Sequence, residues 1–178
     1  MLEREVERIK EPEPPVEKND MMIEYATRLL EARRTGKVLV KYNELFWSQS
    51  RQGLLRRYTT PENVNELAGP GWYVFQNRIL KHSGKHIHQG GIPIFVLQGE
   101  GYSVVDGVRY DWKPGDMIVL TIKPDGCEHQ HFNTDKNIIP QWIAVKYMPF
   151  GYNISEQVRQ VVPHPDWAAA QQKEGKKK

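Results

Sequence analysis

Apolar positions change period along this chain, and the change divides it into parts. From Asp20 to Gly36 they recur at helical spacing: Met22, Ile23, Ala26, Leu29 and Leu30 predict a helix that Asp20 caps and Gly36 ends. Lys37 to Tyr42 reads as a first strand, and Asn43 to Pro70 is irregular, with a short helix expected at Pro61-Glu62-Asn63 capped by Thr60. From Trp72 to about Pro149 the period falls to two. Eight of the fourteen glycines lie between Gly84 and Gly126, spaced for short strands. Strands are predicted over Trp72–Leu80, Met117–Ile122 and Gln141–Tyr147, and Asp106-Gly107 predicts a two-residue hairpin turn because both residues tolerate positive φ. Ile154 to Val162 is expected to form a short helix, with the last ten residues frayed.

Composition narrows the class. A chain of 178 residues suits one domain with a sizeable core. The 25 basic and 22 acidic residues leave an excess too small to imply nucleic acid, and part of it sits in Lys176-Lys177-Lys178. The single cysteine, Cys127, rules out an intramolecular disulfide and fits a reducing compartment. No apolar run approaches the ~18 residues of a membrane span. The opening residues are charged and lack the apolar core of a secretory leader, so a cytoplasmic protein is expected.

The chemistry concentrates in four of the six histidines. His86-Ile87-His88 and His129-Gln130-His131-Phe132-Asn133 both fall in predicted strands. Alternate side chains share a strand face, so His86 and His88 point together, as do His129, His131 and Asn133. If the two strands lie side by side, the imidazoles converge and form a metal site. A lone histidine is usually a polar rim residue, but paired clusters in register with glycine turns argue for ligation. Imidazole suits Fe, Zn, Cu and Ni alike, so the ligands alone do not name the ion.

The segment from His86 through Ile92 to Gly99 resembles the first cupin motif. The segment from Pro114-Gly115-Asp116 through Pro124-Asp125-Gly126 to His129 and Asn133 resembles the second, with the middle turn two residues further along than usual. The resemblance implies an all-β fold: a single cupin barrel (a double-stranded β-helix or jelly roll) with an N-terminal helix and a short C-terminal helix. It divides the chain into a flexible charged arm (1–19), a helix and barrel-covering segment (20–70), the barrel core (71–150), and a C-terminal helix with a basic tail (151–178). No internal repeat is present, so one barrel is expected. His86, His88 and His129 take the ligand positions. Ile92 stands where the family usually carries a glutamate, which points to the three-histidine branch: gentisate- and salicylate-type ring-cleaving dioxygenases and smaller diketone-cleaving relatives.

That branch implies Fe(II), with Zn, Ni, Mn or Cu as other divalent candidates, and a small-molecule substrate together with O2. It also implies a homodimer or higher homo-oligomer. In gentisate-type enzymes a matching His-x-His-Gly-Asn run makes the second histidine a substrate-contacting or acid–base residue. His131 is therefore the candidate catalytic residue, with a fourth-ligand role as the alternative; Phe132 replaces the glycine and would narrow the pocket. Arg78, Gln98, Asn133 and Trp142 are candidate substrate contacts. Arg78 is either a carboxylate clamp or an outward charge, since period two does not choose a face. Tyr102 and Tyr147 are further hydroxyl donors to consider, Cys127 reads as a buried hydrophobe, and His82 and His164 read as surface residues. The leading functional expectation is a C–C-cleaving dioxygenase. Its rivals are a non-redox metal cupin (lyase, isomerase or hydrolase) and a non-catalytic binding cupin.

Overall fold

A computed structural model describes residues 18–60 and 66–175. Eleven strands form two sheets. The first has six strands in the order β1 (Ser48–Ser50), β2 (Gly53–Thr59), β3 (Trp72–Arg78), β10 (Gln141–Tyr147), β5 (Ile92–Gln98) and β8 (Met117–Leu120). The second runs β11 (Arg159–Val162), β4 (Lys85–His88), β9 (Cys127–Asn133), β6 (Gly101–Val105) and β7 (Val108–Trp112). Every strand pair is antiparallel. The apolar core, which includes Leu55, Phe75, Ile94, Leu120, Cys127 and Trp142, is contributed by inward-facing positions of both sheets.

The strongest turn signal forms as expected. Asp106 (φ 49°) and Gly107 (φ 81°) join β6 to β7, both in the left-handed region that a two-residue turn requires. The closing strand also matches its expected bounds, Gln141–Tyr147.

Helix α1 (Lys18–Thr35) forms but starts at Lys18, before Asp20. Its predicted apolar stripe is not buried. Met22 and Ile23 stay exposed while Ala32 packs inward, and the Gly36 amide closes the helix on the Ala32 carbonyl. Lys37–Tyr42 is not a strand. It finds only a single bridge, Lys37 to Leu67, and Val38 is left exposed, because no sheet edge lies alongside to complete a ladder. A 3₁₀ turn follows at Tyr42–Glu44. The segment read as irregular instead contains the β1–β2 hairpin, which widens the first sheet.

The expected helix over Ile154–Val162 is also corrected. Helix α2 (Met148–Asn153) comes earlier, with a proline in its first turn, and β11 follows. The β-branched Val158, Val161 and Val162 suit an extended backbone, and β4 offers a free edge that β11 pairs with. Of the last ten residues, expected to fray, 169–175 are helical in α3 (Pro165–Gly175). The expected arm (apart from its last residues), the Pro61-Glu62-Asn63 helix and the basic tail lie outside the described residues.

Candidate metal centre

β4 and β9 run side by side, and His86 sits directly opposite His129. Both strands alternate buried and half-buried positions, so His86, His88, His129 and His131 all face inward. The rings of His86 and His129 have centroids 4.1 Å apart, and those of His88 and His129 are 4.7 Å apart. One nitrogen from each of these three residues lies within 4.8 Å of the others. The rings are buried, and they line a cavity of about 160 Å³ together with Ile92, Ile94 and Leu120.

Burial fixes the protonation state. Desolvation, reinforced for His86 and His88 by neighbouring imidazoles, lowers His86 to about 3, His88 to about 2 and His129 to about 4. All three are neutral at pH 7, which is the form that binds a metal. The Nδ1 atom of His129 bonds the Cys127 carbonyl at 3.0 Å, so its proton sits there and Nε2 is free to coordinate. His88 Nδ1 has two partners that ask for opposite proton states. The Gly90 amide donates to it at 3.0 Å, and Glu156 Oε1 stands 3.3 Å away as an acceptor. Were Nε2 to hold a metal, Nδ1 would carry the proton and Glu156 Oε1 would be the carboxylate oxygen nearest to it. This set of three neutral, buried nitrogens fits a divalent ion.

The other expected site residues divide into two groups. Trp142 lines the cavity with its ring 5.0 Å from that of His131, and its indole nitrogen is buried without a partner among the described residues. Ile92 lines the cavity at the vacant carboxylate position. His131 also faces the cavity but stands outside the three-nitrogen cluster.

Arg78 is not brought to the site. Phe75 and Asn77 are the inward residues of β3, so Arg78 faces out and stacks on Trp47 at 4.6 Å. The carboxylate clamp therefore gives way to the outward-charge reading. Gln98 is exposed and donates to the Ile139 carbonyl, and Asn133 donates to the Leu80 carbonyl; both tie loops to strands away from the cavity. Phe132 does not narrow the pocket, because it faces outward and stacks on Tyr102. Tyr147 packs on Trp72 on the strand faces turned away from the cavity, and Cys127 is a fully buried core residue whose thiol is raised by desolvation. His164 is a correction of another kind. It is buried and caps α3, with its carbonyl accepting from Ala168 and its Nδ1 from the Asp166 amide.

Three residues join the site without any motif to announce them. Lys146 lines the cavity, and its Nζ pairs with Glu156 Oε2 at 2.6 Å. Glu156 reaches the site from the segment after α2. Ser103, opposite His131 on β6, bonds its ring. Strand register alone would have found Ser103; nothing local marks Glu156.

Residues 80–145 match the cupin domain family. The barrel is similar to cupin domains over that stretch. The chain is 32% identical to an acireductone dioxygenase of Leishmania major over 116 residues, covering 55% of this chain and 33% of that protein. It is 42% identical to a 5-aminosalicylate 1,2-dioxygenase of Comamonas sp over 43 residues, covering 24% of this chain and 11% of that protein. The chain thus spans a third or less of the curated relatives it matches. Among solved structures, the polyketide cyclase RemF from Streptomyces resistomycificus superposes with a TM-score of 0.51 at 17% identity, covering 73% of this chain and 89% of that one. That likeness concerns the fold. No helix among the described residues is long and apolar enough to cross a membrane.

Proposed function

We propose that this cupin is a metal-dependent dioxygenase that cleaves a C–C bond of an aromatic or enolisable oxygenated small molecule with O2, using Fe(II). The observation that carries the reading is the set of three buried, neutral imidazoles with an isoleucine where a carboxylate ligand would stand. Three neutral donors leave the ion its full charge and open positions, which favours an anionic, chelating ligand such as an enolate or a phenolate beside a carboxylate. Both curated relatives are named as dioxygenases, which supports the same class. When bound, the ion supplies a Lewis-acid and redox centre that brings substrate and O2 together.

The protein supplies the rest. An engineered apolar cavity of about 150 Å³ holds benzene, so a cavity of this size suits a single ring or a short diketone. Ile92, Ile94 and Leu120 give the site an apolar side, and the Trp142 and Phe75 rings, set edge-to-face at 69°, form an aromatic corner for a ring or enolate to pack against. Lys146 also lines the cavity, with its charge paired to Glu156. His131 is the residue placed to manage a hydrogen bond or proton at substrate oxygen.

The test is oxygen consumption by protein purified under nitrogen and loaded with Fe(II), across a small panel of phenolic acids and diketones. The reading predicts one O2 consumed per substrate cleaved. Turnover of a panel member without oxygen uptake would replace it with a non-redox cupin, and binding without turnover with a binding module.

A further inference from the structure

We infer that Ser103 and Trp112 hold His131 in a single tautomer, with its proton on Nε2, so that His131 meets the ligand as a hydrogen-bond donor. Ser103 and His131 are direct partners across β6 and β9. Ser103 Oγ lies 2.7 Å from His131 Nδ1, and the Trp112 indole N–H donates to the same Oγ at 2.9 Å. All three side chains are buried, and Ser103 is 0% exposed. Among the described residues Ser103 Oγ has no other partner.

Counting protons then decides the direction of the chain. The indole donates only, so Oγ must accept from Trp112. If His131 carried its proton on Nδ1, Oγ would accept a second time and the buried Ser103 hydroxyl hydrogen would have no acceptor. With Nδ1 unprotonated, every hydrogen is used: Trp112 donates to Ser103, Ser103 donates to His131 Nδ1, and Nε2–H remains for the cavity that the ring lines. Neither ring nitrogen then offers a lone pair to a metal, in keeping with the place of His131 outside the three-nitrogen cluster.

The chain of hydrogen bonds is built into the sheet. Trp112 pairs with Gly101, and a Cβ there would stand 2.3 Å from the indole Cη2. Only glycine lets the indole lie across β6 and reach Ser103. The His131 backbone is fixed separately, because its amide donates to Ser83 Oγ and its carbonyl accepts from the Ser83 amide. Ser103 and Trp112 are thus positioning residues. The ligand they select for presents an acceptor oxygen (phenolate, enolate or carboxylate) to Nε2–H.

This inference rests on His131 facing the ligand, not on the dioxygenase chemistry, and its test needs neither metal nor substrate. In a long-range ¹H–¹⁵N spectrum of metal-free, histidine-labelled protein, the His131 signals are identified by their loss in His131→Gln. The expected pattern is a pyridine-like Nδ1 and a pyrrole-like Nε2. Ser103→Ala removes the donor to Nδ1, so the Nδ1 signal moves further downfield as an unbonded pyridine-like nitrogen, Ser103→Thr restores the native pattern, and metal content after reloading stays near that of the wild type in both. A pyrrole-like Nδ1 in the wild type overturns the inference, and so does a pattern unchanged in a folded Ser103→Ala variant. If Ser103→Ala does not fold, the wild-type and Ser103→Thr spectra still decide. A failed oxygen assay beside the expected spectra would count against the proposed reaction alone.

Discussion

Glu156 Oε1 lies 3.3 Å from Nδ1 of His88, and the other oxygen of the same carboxylate holds Lys146 Nζ at 2.6 Å. The Glu156 side chain is 4% exposed, delivered by the turn after α2, where its amide bonds the Gly151 carbonyl. A carboxylate beside a ligand imidazole orients the ring and raises its donor strength. Apart from the Lys146 ion pair, neither Glu156 oxygen makes a hydrogen bond among the described residues, so with a metal on His88 this carboxylate would be the group placed to take the Nδ1 proton.

Replacing Glu156 with Gln should therefore weaken metal binding by about 10–100-fold, the usual weight of such a partner. Competition against a chelator of known affinity measures it. Unchanged affinity in a folded variant would reduce Glu156 to a partner of Lys146 alone.

At position 92 the expected change is in ligand choice. Ile92→Glu places a carboxylate beside the three imidazoles, adds a fourth protein donor and lowers the charge of the centre. Binding of an anionic chelating ligand should weaken by about tenfold or more, which is ~1.4 kcal/mol, while the metal is retained. Titration with a coloured catecholate reads the effect. The same affinity as wild type would mean that position 92 does not face the ion.

His131→Ala should keep the metal and lose rate by roughly 10²–10⁴-fold if His131 assists at substrate oxygen. Metal analysis and steady-state kinetics on the same sample separate the outcomes. Loss of metal together with rate would make His131 a ligand, and full rate with full metal would make it simple lining.

Much of the site was legible because a strand has a strict period. Once His86-Ile87-His88 and His129-Gln130-His131 are assigned to strands, the facing follows, and the Asp106-Gly107 turn supports the intervening register. What stayed hidden depends on which strands become neighbours. Arg78 could face either way until β3 was seen to turn Phe75 and Asn77 inward. Lys37–Tyr42 has strand composition but no edge to join, whereas Arg159–Val162 became a strand because β4 had an edge to offer. Glu156 illustrates the limit: a long-range contact brings it to His88, and no local pattern marks it.

Acid sensitivity of the metal-free protein follows from the lowered imidazoles. An unfolded histidine takes up a proton near its ordinary value of 6.5, while folded His86 waits until about 3 and folded His129 until about 4. Between these values the unfolded state binds more protons, so stability falls as pH falls. The contribution is complete above about pH 6.5 and is progressively lost down to about pH 4 for His129 and about pH 3 for His86. Thermal melts of metal-free protein should show Tm dropping across that window, and bound metal should raise Tm at pH 7. A flat Tm between pH 7 and pH 4.5 would contradict the burial of these rings.

The most direct test of the account is metal stoichiometry by elemental analysis of protein purified under nitrogen, wild type beside His86→Ala, His88→Ala and His129→Ala. The barrel core is apolar, so the variants should keep their β-sheet circular dichroism. The expected result is about one divalent ion per wild-type chain and close to none in each variant. Equal metal in the wild type and the variants, or none in any of them after reloading, would remove the metal centre on which the proposed function stands.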